Sequence, residues 1–170
     1  MTRNASATRP SAQRIVPRWL PPTALVLCLL GLAFSAYLTY DTFATSTTLI
    51  CPEGETFNCT KVTESAWSKL FGVPVAPLGL LFFAGMTVLC LPRFFLRPGR
   101  TFDWLRLAGA TLGLAMVFYL VWAELFKIHA ICLWCTGVHV VTFLLFGVLL
   151  FGQALIEPAP TRVRYKDRAR

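Results

Sequence analysis

The sequence predicts an all-α fold: a polytopic membrane four-helix bundle with a short amphipathic interfacial helix between spans 1 and 2. Three observations predict it. Of the 170 residues 56% are hydrophobic and the mean hydropathy is +0.62, a composition foreign to soluble domains. The apolar residues gather into four long runs separated by polar links. The basic residues keep to alternate links: apart from Lys61, Lys69 and Lys127, every Lys and Arg lies between Arg3 and Arg18, between Arg93 and Arg106, or between Arg162 and Arg170. That is the positive-inside pattern of an even number of spans with both termini in the cytoplasm. The net charge of +8 thus reads as topology, and no nucleic-acid partner is expected.

Residues 1–18 are polar and basic without periodicity and form a cytoplasmic tail. The first span runs from about Leu20 to Tyr40, with Pro21 and Pro22 in its opening turn, where proline is tolerated. A basic start before an apolar run also fits a signal peptide, with Ala33-Phe34-Ser35 as a cleavage site. The run continues past that point and three more spans follow, which favours an uncleaved anchor. Residues 41–75 form the outer segment. It begins as a Thr-, Ser-, Gly- and Glu-containing loop that brings in Cys51 and Cys59. From Val62 onward Val62, Ala66 and Leu70 recur at i+4, as do Trp67 and Phe71, which predicts the amphipathic helix with Trp67 as its membrane anchor. Gly72 ends that helix and Val73-Pro74 turns the chain back.

The second span covers Val75 to Leu91, and Pro92, Arg93, Arg97, Pro98, Gly99 and Arg100 make a cytoplasmic turn. The third runs from Trp104 to Leu125, and Lys127-Ile128-His129 leaves room only for a tight link. Ala130 to Ile156 is the longest uncharged run; at about 1.5 Å per residue it outspans a hydrocarbon core of about 30 Å. Pro158 and Pro160 open a basic cytoplasmic tail, residues 157–170. Residues 19–156 therefore form one four-span domain, with no internal repeat.

The chemistry points to Cys132-Leu133-Trp134-Cys135, in the first turns of the fourth span. Unpaired N–H groups and the positive end of the helix dipole favour a thiolate there. Residues at i and i+3 share a helix face, so the two sulfurs can meet as a disulfide. Four spans with both ends inside place this pair on the same outer face as Cys51 and Cys59, where disulfides persist. Two pairs on one face can pass electrons by thiol–disulfide exchange. Cys51 and Cys59 also fit a structural staple, and the four cysteines together fit a zinc site, since C-x-x-C is a metal half-site. Haem attachment needs a histidine directly after Cys135, where Thr136 stands; the next histidine is His139. Cys28 and Cys90, toward the cytoplasmic ends of spans 1 and 2, read as apolar packing residues.

Cys59-Thr60-Lys61-Val62, Ser65, Ser68, Gly72-Val73-Pro74-Val75-Ala76 and Leu78-Gly79, in this order, with Tyr37-Leu38-Thr39 near the end of span 1, resemble the bacterial branch of the vitamin K epoxide reductase family. The likeness covers roughly Leu25 to Leu150, including the spacing of Cys51 and Cys59 and the C-x-x-C pair at the head of the last core helix. The resemblance implies a four-helix bundle around a quinone, menaquinone or ubiquinone, as electron acceptor. It implies that Cys132 and Cys135 are the active-site pair with Cys135 toward the quinone, that Cys59 exchanges with Cys132, and that Cys51 meets the partner. Ser65 matches the family's hydroxyl near the quinone headgroup. His139 lies one turn beyond Cys135, and a histidine inside a span suggests function. Animal members carry tyrosine at that position, and vitamin K epoxide as substrate is not implied.

A quinone tail needs lipid whereas a secreted client's thiols lie in water, so a loop pair and a helix pair make sense as a relay. The expected function is a membrane thiol:quinone oxidoreductase that makes disulfides outside the cytoplasm of a bacterium, in its inner membrane. No thioredoxin-like domain follows span 4, so the expected partner is a separate extracytoplasmic thiol oxidase of thioredoxin fold. Two other readings stand beside it. One is the unrelated four-helix quinone reductase of the disulfide bond formation protein B type. The other is a non-enzymatic four-cysteine metal-binding membrane module.

Overall fold

The computed structural model describes residues 16–44, 50–51, 54, 56–95 and 101–156. The N-terminal tail before Val16, the C-terminal tail and the Arg97–Arg100 part of the basic link lie outside the described residues. The chain is an all-α polytopic membrane protein; its described residues form four apolar helices, with four short helical pieces and one small hairpin between them.

Helix α1 spans Leu20–Phe43 with proline in its first positions, where the missing N–H is not needed. It ends at Ala44, whose backbone is extended. Helix α2 is the single turn Cys59–Thr63, capped by Asn58, whose Oδ1 accepts the Lys61 N–H at 2.8 Å. A 3-10 turn follows at Ala66–Ser68, and strands β1 (Lys69–Leu70) and β2 (Val73–Pro74) form an antiparallel hairpin. Its two loop residues, Phe71 (φ 52°) and Gly72 (φ 84°), both have positive φ, which suits a tight primed turn. Helix α3 is Val75–Leu89, α4 the short Pro92–Phe95, α5 Thr101–Ala123 and α6 Leu133–Ala154. Between α5 and α6 the helix widens into a π turn, Glu124–Ile128, and stops at His129, which is left-handed (φ 53°).

The short helix between the first two spans is thus present, but it ends at Thr63 instead of running on to Phe71. Ser65 is extended (ψ 154°), and the apolar i+4 residues beyond it are shared between a 3-10 turn and a hairpin. Gly72 closes the hairpin where a helix end was expected.

Helix α1 packs against α3 and α6, α5 packs against α6, and the α3–α5 seam is thinner. Consecutive apolar helices run in opposite directions. Leu20 at the start of α1 lies over Gly152 near the end of α6, while Phe34 lies over Gly137 near its start. Ser35 likewise meets Gly79 in the first turns of α3. Gly31 lets α1 and α3 approach closely, because a Cβ there would run into the buried ring of Phe83. Among the described residues three helices are long and apolar enough to cross a membrane: Leu20–Phe43, Thr101–Ile128 (which includes the π turn) and Leu133–Ala154. The fourth, α3, is apolar but shorter. The outer surface carries large apolar side chains such as Leu81, Leu112, Phe118, Phe143 and Phe151, as a lipid-facing belt requires. Hydroxyls in the helices bond back to the carbonyl four residues earlier, as Thr39, Thr87 and Thr142 do, so little polar capacity faces lipid.

Buried apolar residues form two clusters. One, at the α1 N-terminal end, holds Cys28, Cys90, Phe83, Phe95 and Leu145, so Cys28 and Cys90 are core residues there. Arg106 also lies at that end, with 1% exposure, and is no solvated charge of the basic link. It pairs with Asp103, donates to the Leu89 carbonyl at 3.0 Å and lies over the Phe95 ring. The second cluster, at the opposite end, holds Cys59, Val62, Ala123, Ile128, Ala130 and Cys132, with Cys51 and Cys135 packed against it.

Candidate active site

The left-handed turn at His129 delivers Ala130 and Ile131 to the head of α6, where Cys132 is the N-cap residue (φ −95°, ψ 118°). Its sulfur accepts the Cys135 N–H at 3.3 Å, taking the place of the oxygen of an ordinary cap. Its carbonyl accepts both the Thr136 N–H and the Thr136 hydroxyl, each at 2.9 Å. The Cys135 thiol donates to Cys132, and with the N–H groups of Cys135 and Trp134 it holds Cys132 below the ordinary thiol range, against the effects of burial and of the Glu124 carboxylate. Cys132 and Cys135 are both free thiols; Cys132 is fully buried and Cys135 half-buried.

Cys51 and Cys59 are joined in a disulfide. Pairing with the approach to α6 holds the loop in place: Phe57 and Ile131 form a parallel bridge, Ile131 N–H donates to the Thr56 carbonyl at 2.9 Å and Asn58 N–H to the Ile131 carbonyl at 3.2 Å. Since Cys59 follows Asn58 and Cys132 follows Ile131, this bridge sets the two cysteines in one buried cluster. At the other end of the loop Ile50 is held twice. Its N–H donates to the Tyr37 hydroxyl at 3.3 Å and its carbonyl accepts from Trp134 Nε1 at 3.0 Å. The Tyr37 and Trp134 rings meet edge to face, 4.7 Å between centroids. A four-cysteine metal site would need four thiolates, and two of these sulfurs are bonded to each other.

Below the cysteines lies an apolar cavity of about 310 Å³ between α1, α3, α5 and α6, roofed by α2 and the β1–β2 hairpin. Its walls are mainly side chains such as Leu38, Phe82, Met116 and Val138, with a few polar groups: Cys135, His139, Glu124, Ser68 and Ser35 among them. Cys135 and His139, one turn apart on α6, both line it, and His139 is buried. Ser65 does not line it. Its hydroxyl caps the 3-10 turn, accepting the Ser68 N–H at 3.2 Å and donating to the Val62 carbonyl at 2.8 Å. The break at Ser65 instead carries Ser68 to the cavity wall, its hydroxyl bonded to the carbonyls of Thr63 (2.6 Å) and Ser65 (2.7 Å).

Glu124 is the residue that sequence reasoning passed over. It was counted within the third span, although a lone carboxylate in an apolar run is itself a signal. The π turn buries it (6% exposed) at the cavity wall, with its carboxylate beside the Cys132 backbone N–H.

The site therefore places one disulfide, one dithiol and one apolar cavity in contact, in that order along the bundle. Residues 22–150 match the family model described as Vitamin K epoxide reductase family.

Proposed function

We propose, from the premise that the chain belongs to the vitamin K epoxide reductase family and so is a membrane thiol–disulfide oxidoreductase, that it generates disulfides outside the cytoplasm by passing electrons from a thioredoxin-fold thiol oxidase to a quinone. The observation that carries the reading is the packing of the Cys51–Cys59 disulfide against Cys132, with Cys135 opening onto the cavity.

The loop disulfide takes electrons from the dithiol of the partner by exchange at Cys51, the half-buried member of the pair. Reduced Cys59 attacks the Cys132–Cys135 disulfide, forming a Cys59–Cys132 bond and releasing Cys135 as a thiol. Cys51 then attacks Cys59, which restores the loop disulfide and frees Cys132. Two electrons have moved inward and the helix pair is reduced, the redox state in which the four cysteines stand here. The hydrogen bonds that Cys132 accepts support the second exchange, in which Cys51 displaces it from Cys59, because they favour that sulfur as a leaving thiolate.

The cavity fits a quinone ring on its own terms: it is apolar, of ligand size, and has a few convergent polar groups beside a reactive sulfur. Cys135, His139 and Ser68 would hold the ring, which when bound supplies a two-electron acceptor. The thin α3–α5 seam supports entry of an isoprenoid tail from lipid. Arginine asymmetry orients the molecule with both termini in the cytoplasm and the four cysteines on the outer face of the cytoplasmic membrane of a bacterium. The purified protein, given a reduced thioredoxin-fold donor, should reduce a ubiquinone or menaquinone analogue with one quinone consumed per partner disulfide formed. Partner oxidation that proceeds at the same rate without quinone would refute the reading.

A further inference from the structure

We infer that Glu124 is the proton acceptor of the Cys132–Cys135 pair, taking thiol protons as the pair is oxidised and delivering them across the cavity. The inference rests on the quinone reading above and adds a residue to it. Oxidising the helix dithiol breaks two S–H bonds and forms one S–S bond, releasing two electrons and two protons. Reducing a quinone to the quinol takes up two electrons and forms two O–H bonds. The electrons have a path through Cys135, which lines the cavity. The protons need a base, because Cys132 is fully buried and the walls there are apolar.

Only one carboxylate lines the cavity among the described residues, and it is Glu124. The chain goes to structural lengths to put it there. The helix of α5 widens into a π turn at this residue, and the following link folds back so that the Glu124 carbonyl accepts the Ala130 N–H at 3.3 Å. The Glu124 carboxylate lies beside the Cys132 backbone N–H. One carboxylate thus touches the backbone of one redox cysteine and shares a wall with the other. A purely structural role would call for a partner cation, and among the described residues Glu124 forms no ion pair. Lys127, on the same π turn, instead lies over the Trp67 and Trp122 rings. Near Glu124 are the two thiols at the head of α6, and the His139 imidazole shares its cavity; the polar groups that α1, α2 and the 3-10 turn bring to the cavity are uncharged, the hydroxyls of Ser35, Thr42, Thr63 and Ser68 and the Trp67 indole. Glu124 can pass the two protons in turn, each time recovering its charge as a quinone oxygen is protonated.

Glu124→Gln tests this in the full chain, since glutamine keeps the shape but cannot take up a proton as a carboxylate does. Starting from pre-reduced protein, quinone reduction should slow by roughly 10²-fold or more, the usual worth of a positioned base. Its pH dependence should lose one ionisation, and Glu124→Asp should recover part of the rate. A second readout needs no quinone. The oxidised-minus-reduced infrared difference spectrum of the wild-type cysteine pair should contain a protonated-carboxyl band that shifts on deuteration, and Glu124→Gln should lack it. Wild-type rate and pH profile in Glu124→Gln, or an unchanged infrared band, would overturn the inference. Failure of the wild-type protein to reduce any quinone would overturn the functional reading instead, and the infrared comparison would then still decide whether Glu124 takes the dithiol's proton.

Discussion

At the scale of single residues, the site turns on which of two adjacent sulfurs is presented to which neighbour. Cys132 is the cap of α6 and faces the loop cluster, whereas Cys135, three residues on, faces the cavity. A mixed disulfide is stranded when its resolving thiols are removed. The Cys51→Ala, Cys135→Ala protein should therefore accumulate a Cys59–Cys132 bond, visible by peptide mapping under non-reducing conditions. A folded Cys59→Ala protein should lose partner oxidation almost completely. If Cys51–Cys59 is only a staple, the double variant will show no specific cross-link and Cys59→Ala will cost stability more than turnover. Ser65 and Ser68 make a similar point about neighbours. Both hydroxyls are visible in the sequence, but the extended backbone at Ser65 turns one into a cap and puts the other on the cavity wall.

At the scale of elements, the end of the bundle remote from the cysteines is held by one buried side chain. Arg106 of α5 reaches the Leu89 carbonyl of α3, the Phe95 ring of α4 and its neighbour Asp103, whose own carbonyl accepts from Gln153 of α6 at 2.6 Å. Removing one partner of a buried pair typically costs about 3–5 kcal/mol. Arg106→Leu should accordingly lower the denaturant midpoint of the detergent-solubilised protein substantially. Arg106→Lys keeps the charge but loses the planar fork and the ring contact, so it should fall between the two. The thiol-exchange chemistry, at the other end of the bundle, should survive in whatever fraction remains folded. An unchanged midpoint in Arg106→Leu would show that helix packing alone holds this end. The π turn has the opposite place in the design: it spends helix regularity to aim Glu124.

For the whole molecule the alternating helices bring both cysteine pairs to one end and leave Cys28 and Cys90 in the core at the other. On the proposed orientation, with the arginine-rich links inside, an impermeant thiol reagent on spheroplasts, after mild reduction, should label Cys51 or Cys59 and leave Cys28 and Cys90 untouched. A cysteine introduced as Arg97→Cys should stay unlabelled until the membrane is breached. Labelling of that position in sealed spheroplasts would invert the orientation.

Hydrophobic run length, proline position and charge asymmetry are local or additive along the chain, and they sufficed to mark the four apolar helices and the Cys132–Cys135 pair at the head of the last. The loop cysteines were legible for the same reason, and so was the presence of a short helix before span 2, but not its bounds, since it begins at Cys59 and ends at Thr63. Contact across sequence distance was not. Nothing in the order of residues says that Phe57 will pair with Ile131, yet that bridge sets Cys59 beside Cys132. Helical periodicity also failed where the backbone left the α form. A 3-10 turn after Ser65 and a π turn at Glu124 each advance a side chain by an angle that no 3.6-residue period contains, so the residues facing the cavity there differ from those an ideal helix would present. Arg106 counts with the basic link when charge alone is read, and only the packed α3, α4 and α5 supply the carbonyl, ring and carboxylate that let it be buried. The sequence by itself determined the helices and the chemistry they carry; the tertiary structure decided which side chains meet, because such meetings depend on backbone angles set by packing between distant segments.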